Sequence, residues 1–168
     1  FKIFIQALVS CMSCHMRWCR SQMMSTSLAT HRQLYLREQG EQSLIELSDL
    51  ESASIELAKF DLWLKSKRKL TLSNIEGRTW VKTCTGGYIT ELTFFEDGSL
   101  VENRLFDRFE TKGHWSLAEG LLKVTIFKGN NHYNFTVVGN LELNIHSAIE
   151  YKNDELHSYL KLMQIEQS

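Results

Sequence analysis

From Gly77 to Ile165, apolar and polar residues alternate in short runs, and Gly, Asn or Asp interrupts them at roughly 8–12-residue intervals. Eight runs can be read as strands, at about 78–84, 88–95, 100–106, 109–117, 121–128, 132–138, 141–150 and 155–165. In the second run, Tyr88, Thr90, Leu92 and Phe94 share one face, and Ile89, Glu91, Thr93 and Phe95 the other. Asp97-Gly98 is the most specific turn signal, a type I′ or related hairpin that needs positive φ. Gly113, inside the fourth run, predicts a bulge or bend. Short connections between consecutive strands favour an antiparallel up-and-down meander, with one buried and one wet face per strand. A flat eight-stranded sheet would leave a face uncovered; closing it into a barrel, fully or nearly, buries that face and removes the edges.

Before this β-half the period changes. Residues 26–69 form a helical lead-in. Leu28, Leu34 and Leu36 predict a first helix ending near Gly40, a plausible C′ residue. Leu50, Ala53, Leu57, Phe60 and Leu64 recur at helical intervals and predict a second. Ser48-Asp49-Leu50-Glu51 has the form of a capping box for it, and Ser43 to Glu46 repeats the pattern a turn earlier. Lys65, Lys67, Arg68 and Lys69 complement the negative end of its dipole. The expected class is α+β, mainly β: one or two N-terminal helices packed on a barrel-like domain at 75–166.

Composition narrows the function. Lys+Arg of 19 against Asp+Glu of 20 leaves no basic surplus, which disfavours nucleic acid as the main partner. No run of 18 apolar residues is present, so no membrane-spanning helix is expected. Proline is absent. Turns must then be made by Gly, Asn and Asp, which suits tight hairpins. Cys11, Cys14 and Cys19 crowd the start and only Cys84 lies in the β-half, so no disulfide framework is expected and the folded part reads as cytoplasmic.

The leader, residues 1–25, carries two sharp motifs in poor context. Leu8-Val9-Ser10-Cys11 has the form of a lipobox, which would make the chain a bacterial envelope lipoprotein, but only a short apolar run precedes it. Cys11-x-x-Cys14-His15 has the form of a c-type haem attachment site, without a helical wrap to receive the group. The reading preferred here is a disordered or non-native leader, with no cofactor.

Ile75-Glu76-Gly77-x-x-Trp80, Phe94-x-x-Asp97-Gly98 and Gly113-His114-Trp115 together resemble small bacterial lipocalin-like domains of the calycin type. In lipocalins proper one residue, not two, separates the glycine from the tryptophan. The resemblance implies an up-and-down barrel, a tryptophan closing its floor, and a hydrophobic ligand inside.

No catalytic motif stands out, and no catalytic residue or metal ligand is nominated. His114, His132, His146 and His157 read as surface residues, and Glu91, Glu102, Glu142 and Glu150 as solvated polar-face charges. Cys84, two residues from Lys82, reads as a small packing residue. The inward set Tyr88, Leu92, Phe94, Val124, Ile126, Tyr133, Phe135, Val137, Leu143 and Ile145 suits either a solid core or a pocket for a small apolar ligand. A non-catalytic binding module for such a ligand is the leading expectation. The alternative is an interaction or assembly domain, including a homo-oligomer, acting through Ile89, Phe95, Phe106 and Phe127.

Overall fold

The computed structural model describes residues 27–39 and 43–165. The leader motifs at Cys11, Cys14 and His15, and the expected helix stop at Gly40, lie outside the described residues. Helix α1 spans residues 27–38 and α2 spans Leu57–Lys65. A two-residue strand, β1 (Lys67–Arg68), leads to the barrel: β2 (Thr79–Cys84), β3 (Ile89–Phe94), β4 (Ser99–Arg104), β5 (Glu110–Ala118), β6 (Leu121–Lys128), β7 (Asn131–Asn140), β8 (His146–Lys152) and β9 (Glu155–Gln164). Each of these eight pairs antiparallel with the next in sequence, and β9 returns to β2, so the meander closes on itself. The eight expected strands are all present, and β1 adds a short pairing at the far end of β7.

Closure forces every second residue inward. The interior thus receives Trp80 and Lys82 from β2, Leu92 and Phe94 from β3, Leu100 and Glu102 from β4, and Trp115 from β5, with matching positions on β6 to β9. The two ends of the barrel differ. At one end, the floor, Leu70 and Ile75 and a 3₁₀ turn over Leu72–Asn74 cap the opening. Trp80 is fully buried against this cap and donates its indole N–H to the Asn74 carbonyl at 3.2 Å. A chain of edge-to-face rings, Trp80–Phe94–Trp115, crosses the floor with centroids 6.0 Å apart at each step. Such rings bury large apolar area and fix their mutual orientation.

Gly113 is not a bulge. Its register runs unbroken between Leu100 on β4 and Ile126 on β6. A Cβ there would lie 2.1 Å from the Thr125 carbonyl oxygen, so the residue is small because β6 passes against it. Asp97-Gly98 makes the expected hairpin between β3 and β4, with positive φ, although it is not type I′ itself. Gly98 has φ of 82°, but Asp97 does not share the positive φ that type I′ demands at both central residues. That geometry occurs instead at Glu119-Gly120 and Asn153-Asp154, where both residues have positive φ.

The lead-in docks as two layers. Four consecutive residues of α1, Gln33 to Leu36, are buried, which requires contact on more than one side of the helix. Leu34 packs on the barrel wall with Leu121, Val138 and Ile149. Tyr35 and Leu36 pack outward on Phe60 and Leu50. The second helix is shorter than the spacing predicts. Ser48 does not cap it: its hydroxyl reaches only the neighbouring Asp49 carboxylate, at 3.4 Å. Leu47–Asp49 is a 3₁₀ turn, and the Ser52 hydroxyl bonds the Asp49 carbonyl. Local bonding of this kind competes with helix formation. Leu50, Ala53, Phe60 and Leu64 still meet in one cluster, whereas Leu57 is exposed.

A polar latch fastens α1 to the wall. Glu38 accepts from the Ser147 hydroxyl, the Tyr159 hydroxyl at 2.9 Å, the Trp63 indole at 2.7 Å, Lys67 at 3.1 Å and Lys161 at 3.2 Å. Burial would raise its pKa, but the Ser147 bond and the two ammonium groups outweigh that and hold it at about 2.

The tight β5–β6 approach generates a test. Gly113→Ala is expected to lower stability by about 1–3 kcal/mol, because the clash is with backbone and cannot be relieved by a rotamer change. Urea unfolding followed by tryptophan fluorescence measures it; an unchanged midpoint would mean the two strands can separate at no cost.

Candidate functional site

The end of the barrel opposite the floor, the mouth, is built differently. The connections β2–β3, β4–β5, β6–β7 and β8–β9 surround it, and a cavity of about 290 Å³ opens there. Alternation carries the inward face from Trp80 to Lys82 and Cys84 on β2, and from Leu100 to Glu102 and Arg104 on β4. The layer above the aromatic floor is therefore polar. Lys82, Thr90, Glu102, Thr111, Glu150 and Ser158 are all buried.

Glu102 organises this layer. Its carboxylate accepts from Lys82 at 2.6 Å, Lys128 at 2.8 Å, Thr90 at 2.9 Å and Thr111 at 2.9 Å. Burial pushes its pKa up, yet the Lys82 and Lys128 charges more than cancel this and hold it at about 2. Glu102 is thus ionised and saturated. Glu150 is held more loosely, 3.5 Å from Lys82 and 4.0 Å from His157, and its side chain lines the cavity. Lys82, Lys128 and Arg104 line it too, with Tyr88 and Tyr133. Lys128 lies 5.1 Å from the Tyr133 ring centroid, and Arg104 lies 6.0 Å from that of Tyr88. Such a wall can grip a small molecule with an acceptor head and a flat body. Among the described residues, no group of three or more His, Cys, Asp or Glu gathers as a metal cage.

The ten expected pocket residues divide three ways. Leu92, Phe94, Val124, Ile126, Phe135 and Val137 are buried in the main core, where they pack on one another. Tyr88 and Tyr133 line the mouth cavity. Leu143 and Ile145 are not inward strand residues: 141–145 is a connection, and the two side chains are 60% and 40% exposed. β8 begins only at His146, so the inward parity falls on His146, Ala148 and Glu150.

His146 is accordingly no surface residue. It is fully buried, its ring centroid 5.2 Å from that of Trp80, and its Nδ1 accepts the Asn140 N–H at 2.9 Å. The proton of the neutral ring then sits on Nε2, which has no hydrogen-bond partner. Burial, with the charges of Arg68, Lys161 and Lys67 nearby, lowers its pKa to about 4. Glu102 and Glu150 likewise leave the solvated face assigned to them. The signal for Lys82 and Glu102 was present in the sequence, since each stands two places from a large core residue, Trp80 and Leu100. Cys84 is a free, half-buried thiol on the cavity wall.

The apolar residues expected to form one contact surface are dispersed. Phe95 follows β3 at the floor and Phe106 follows β4 at the mouth; Phe127 stacks edge-on with His114, and Ile89 is half-buried. A second hollow of about 250 Å³ lies on the outer wall beside α1, lined by Gln33, Lys123, Asn134 and Tyr151 among others, and two of the expected pocket residues, Val124 and Phe135, also border it. It lacks the buried ion pairs of the mouth.

Fold and site together define a closed eight-stranded antiparallel barrel with a sealed aromatic floor, a helical flank and a charged mouth cavity. The sequence matches no protein-family model, and no curated protein or solved structure resembles it closely enough to count as a match.

The shifted groups set the acid response. Glu38 and Glu102 bind protons more weakly in the fold than their ordinary value of 4.5, so their stabilisation is complete above that pH and lost as pH falls toward 2. For Glu102 the loss is roughly 3 kcal/mol. His146 stays neutral to about 4 while the unfolded chain protonates near 6.5, so stability begins to fall at 6.5 and continues through 4. Urea midpoints between pH 2 and 8 should therefore plateau above 6.5 and decline in two stages. The first stage should vanish in His146→Gln; its persistence there would assign it to another group.

Proposed function

We propose that the chain is a non-catalytic binding module that takes a small organic anion into the mouth of the barrel. The observation that carries this reading is the composition of the cavity wall. Lys82, Lys128 and Arg104 face the space, Glu150 is the carboxylate beside them, and Glu102 is already saturated behind. An acceptor group on a ligand would meet charge-assisted donors in a partly desolvated site, the setting in which such bonds are strongest. Tyr88 and Tyr133 offer ring surface for the ligand body. A volume of about 290 Å³ is close to the lower bound of about 300 Å³ for small-molecule sites.

The reading moves away from an apolar ligand in the deep interior because side chains occupy that space: Leu92, Phe94, Val124, Ile126, Phe135 and Val137 are each no more than 3% exposed. A lipocalin-like ancestry is supported by the floor. There a 3₁₀ turn, Gly77 with φ of 64° and the buried Trp80 follow one another at the entrance to the first barrel strand.

Isothermal titration with small carboxylates and organic phosphates, each paired with its neutral amide or alcohol, tests the reading. At least one anion should bind about tenfold or more tightly than its neutral partner, and Arg104→Gln should weaken it by about tenfold. Arg104 is a rim residue with a half-exposed side chain, so this variant should keep its melting temperature. Preference for neutral or long apolar compounds, indifferent to Arg104→Gln, would defeat the proposal.

A further inference from the structure

Glu150 is a buried carboxylate that the fold leaves short of donors. Its side chain is 7% exposed and lines the mouth cavity. The nearest cationic groups are Lys82 at 3.5 Å and His157 at 4.0 Å, both beyond the roughly 2.7–2.9 Å of a charge-assisted hydrogen bond. Lys82 sits closer to Glu102, at 2.6 Å. Ser158, which also lines the cavity, turns its hydroxyl to the Tyr159 carbonyl instead. Glu102, one layer away, has four donors. A buried acceptor left short in this way is costly, and a donor entering the cavity would remove the cost.

The charges of the wall point the same way. Lys82 and Lys128 are balanced by Glu102 and Glu150, and Arg104 by Asp107. Lys152 and Glu155 face each other in register at the β8–β9 turn, and Arg108 and Glu110 offset each other after β4. A ligand bearing only a negative charge would bring an unbalanced charge into a partly desolvated site. One that carries its own ammonium group would not. Arg104 and Glu150 stand on β4 and β8, four places apart in the ring of eight strands, and hence on opposite walls. We propose that the mouth takes an amino acid whose two charges lie at opposite ends of its body. Its ammonium group donates to Glu150, and its carboxylate accepts from Arg104. The inference rests on the anion-binding reading of the cavity and adds Glu150 as the residue that selects among anions.

Calorimetric titration of the full chain with matched pairs tests the proposal. The pairs are γ-aminobutyrate with butyrate, ε-aminocaproate with caproate, and para-(aminomethyl)benzoate with para-methylbenzoate. In at least one pair the amino compound should bind about tenfold more tightly than the plain acid. Glu150→Gln should abolish that gain. It should weaken the amino compound about tenfold and tighten the plain acid, because a negative charge leaves the wall. The comparison within the parent protein decides the matter alone if the variant melts early. Equal or weaker binding of the amino compound in every pair would overturn the inference, as would a gain that survives Glu150→Gln. Plain acids that still bind in the first case would leave the anion-binding reading standing. If no member of any pair binds, both fall.

Discussion

A carboxylate inside a closed barrel must find donors there, because water cannot reach it freely. Glu102 meets this demand with one donor each from β2, β3, β5 and β6, on both sides of its own strand. Those bonds join five consecutive strands through a single group. Buried ion pairs are not in general more stabilising than well-packed apolar residues of the same volume. The charge is better understood by what it does to the space around it. An ammonium and a carboxylate need partners at set distances and cannot slide into gaps as leucine or methionine can. The layer containing Glu102 therefore leaves room, and the mouth stays open where the floor is sealed.

The contrast between the ends follows from two kinds of packing. At the floor, Trp80, Phe94 and Trp115 interlock beneath Leu70 and Ile75, and indole donors are met by the Asn74 and Phe95 carbonyls. At the mouth, alternation along the same strands delivers Lys82, Glu102, Arg104 and Lys128. The helical flank is attached by a third arrangement, in which Glu38 on α1 gathers donors from β1, α2, β8 and β9. Two saturated carboxylates thus perform parallel tasks, one inside the barrel and one on its wall.

Much of the strand plan was legible because period-two alternation and glycine-marked turns are local signals. Alternation misassigns a face where no local cue marks the inward side. At Leu141 to Ile145 the apolar–polar alternation looked like a strand, yet the chain makes a connection there, and the inward parity shifts by one residue at His146. That slip hid a buried histidine and Glu150 and put two exposed residues into the expected interior. The Ser48 capping box failed for a related reason: an apparent helix start was pre-empted by a 3₁₀ turn and by Ser52 bonding back to Asp49.

The sequence by itself determined that the second half is an eight-stranded meander, that it must close to bury its apolar face, and that helices precede it. These follow from periodicity and from the cost of an uncovered sheet, which do not depend on knowing which strands touch. Only the tertiary structure decided that the deep interior is filled, that Lys82, Lys128, Glu102 and Glu150 converge, and that Phe106 and Phe95 stand at opposite ends. Convergence depends on register around a closed ring, where strands distant in sequence face one another. A local pattern cannot specify that, because pairing and inward space are set by all eight strands at once.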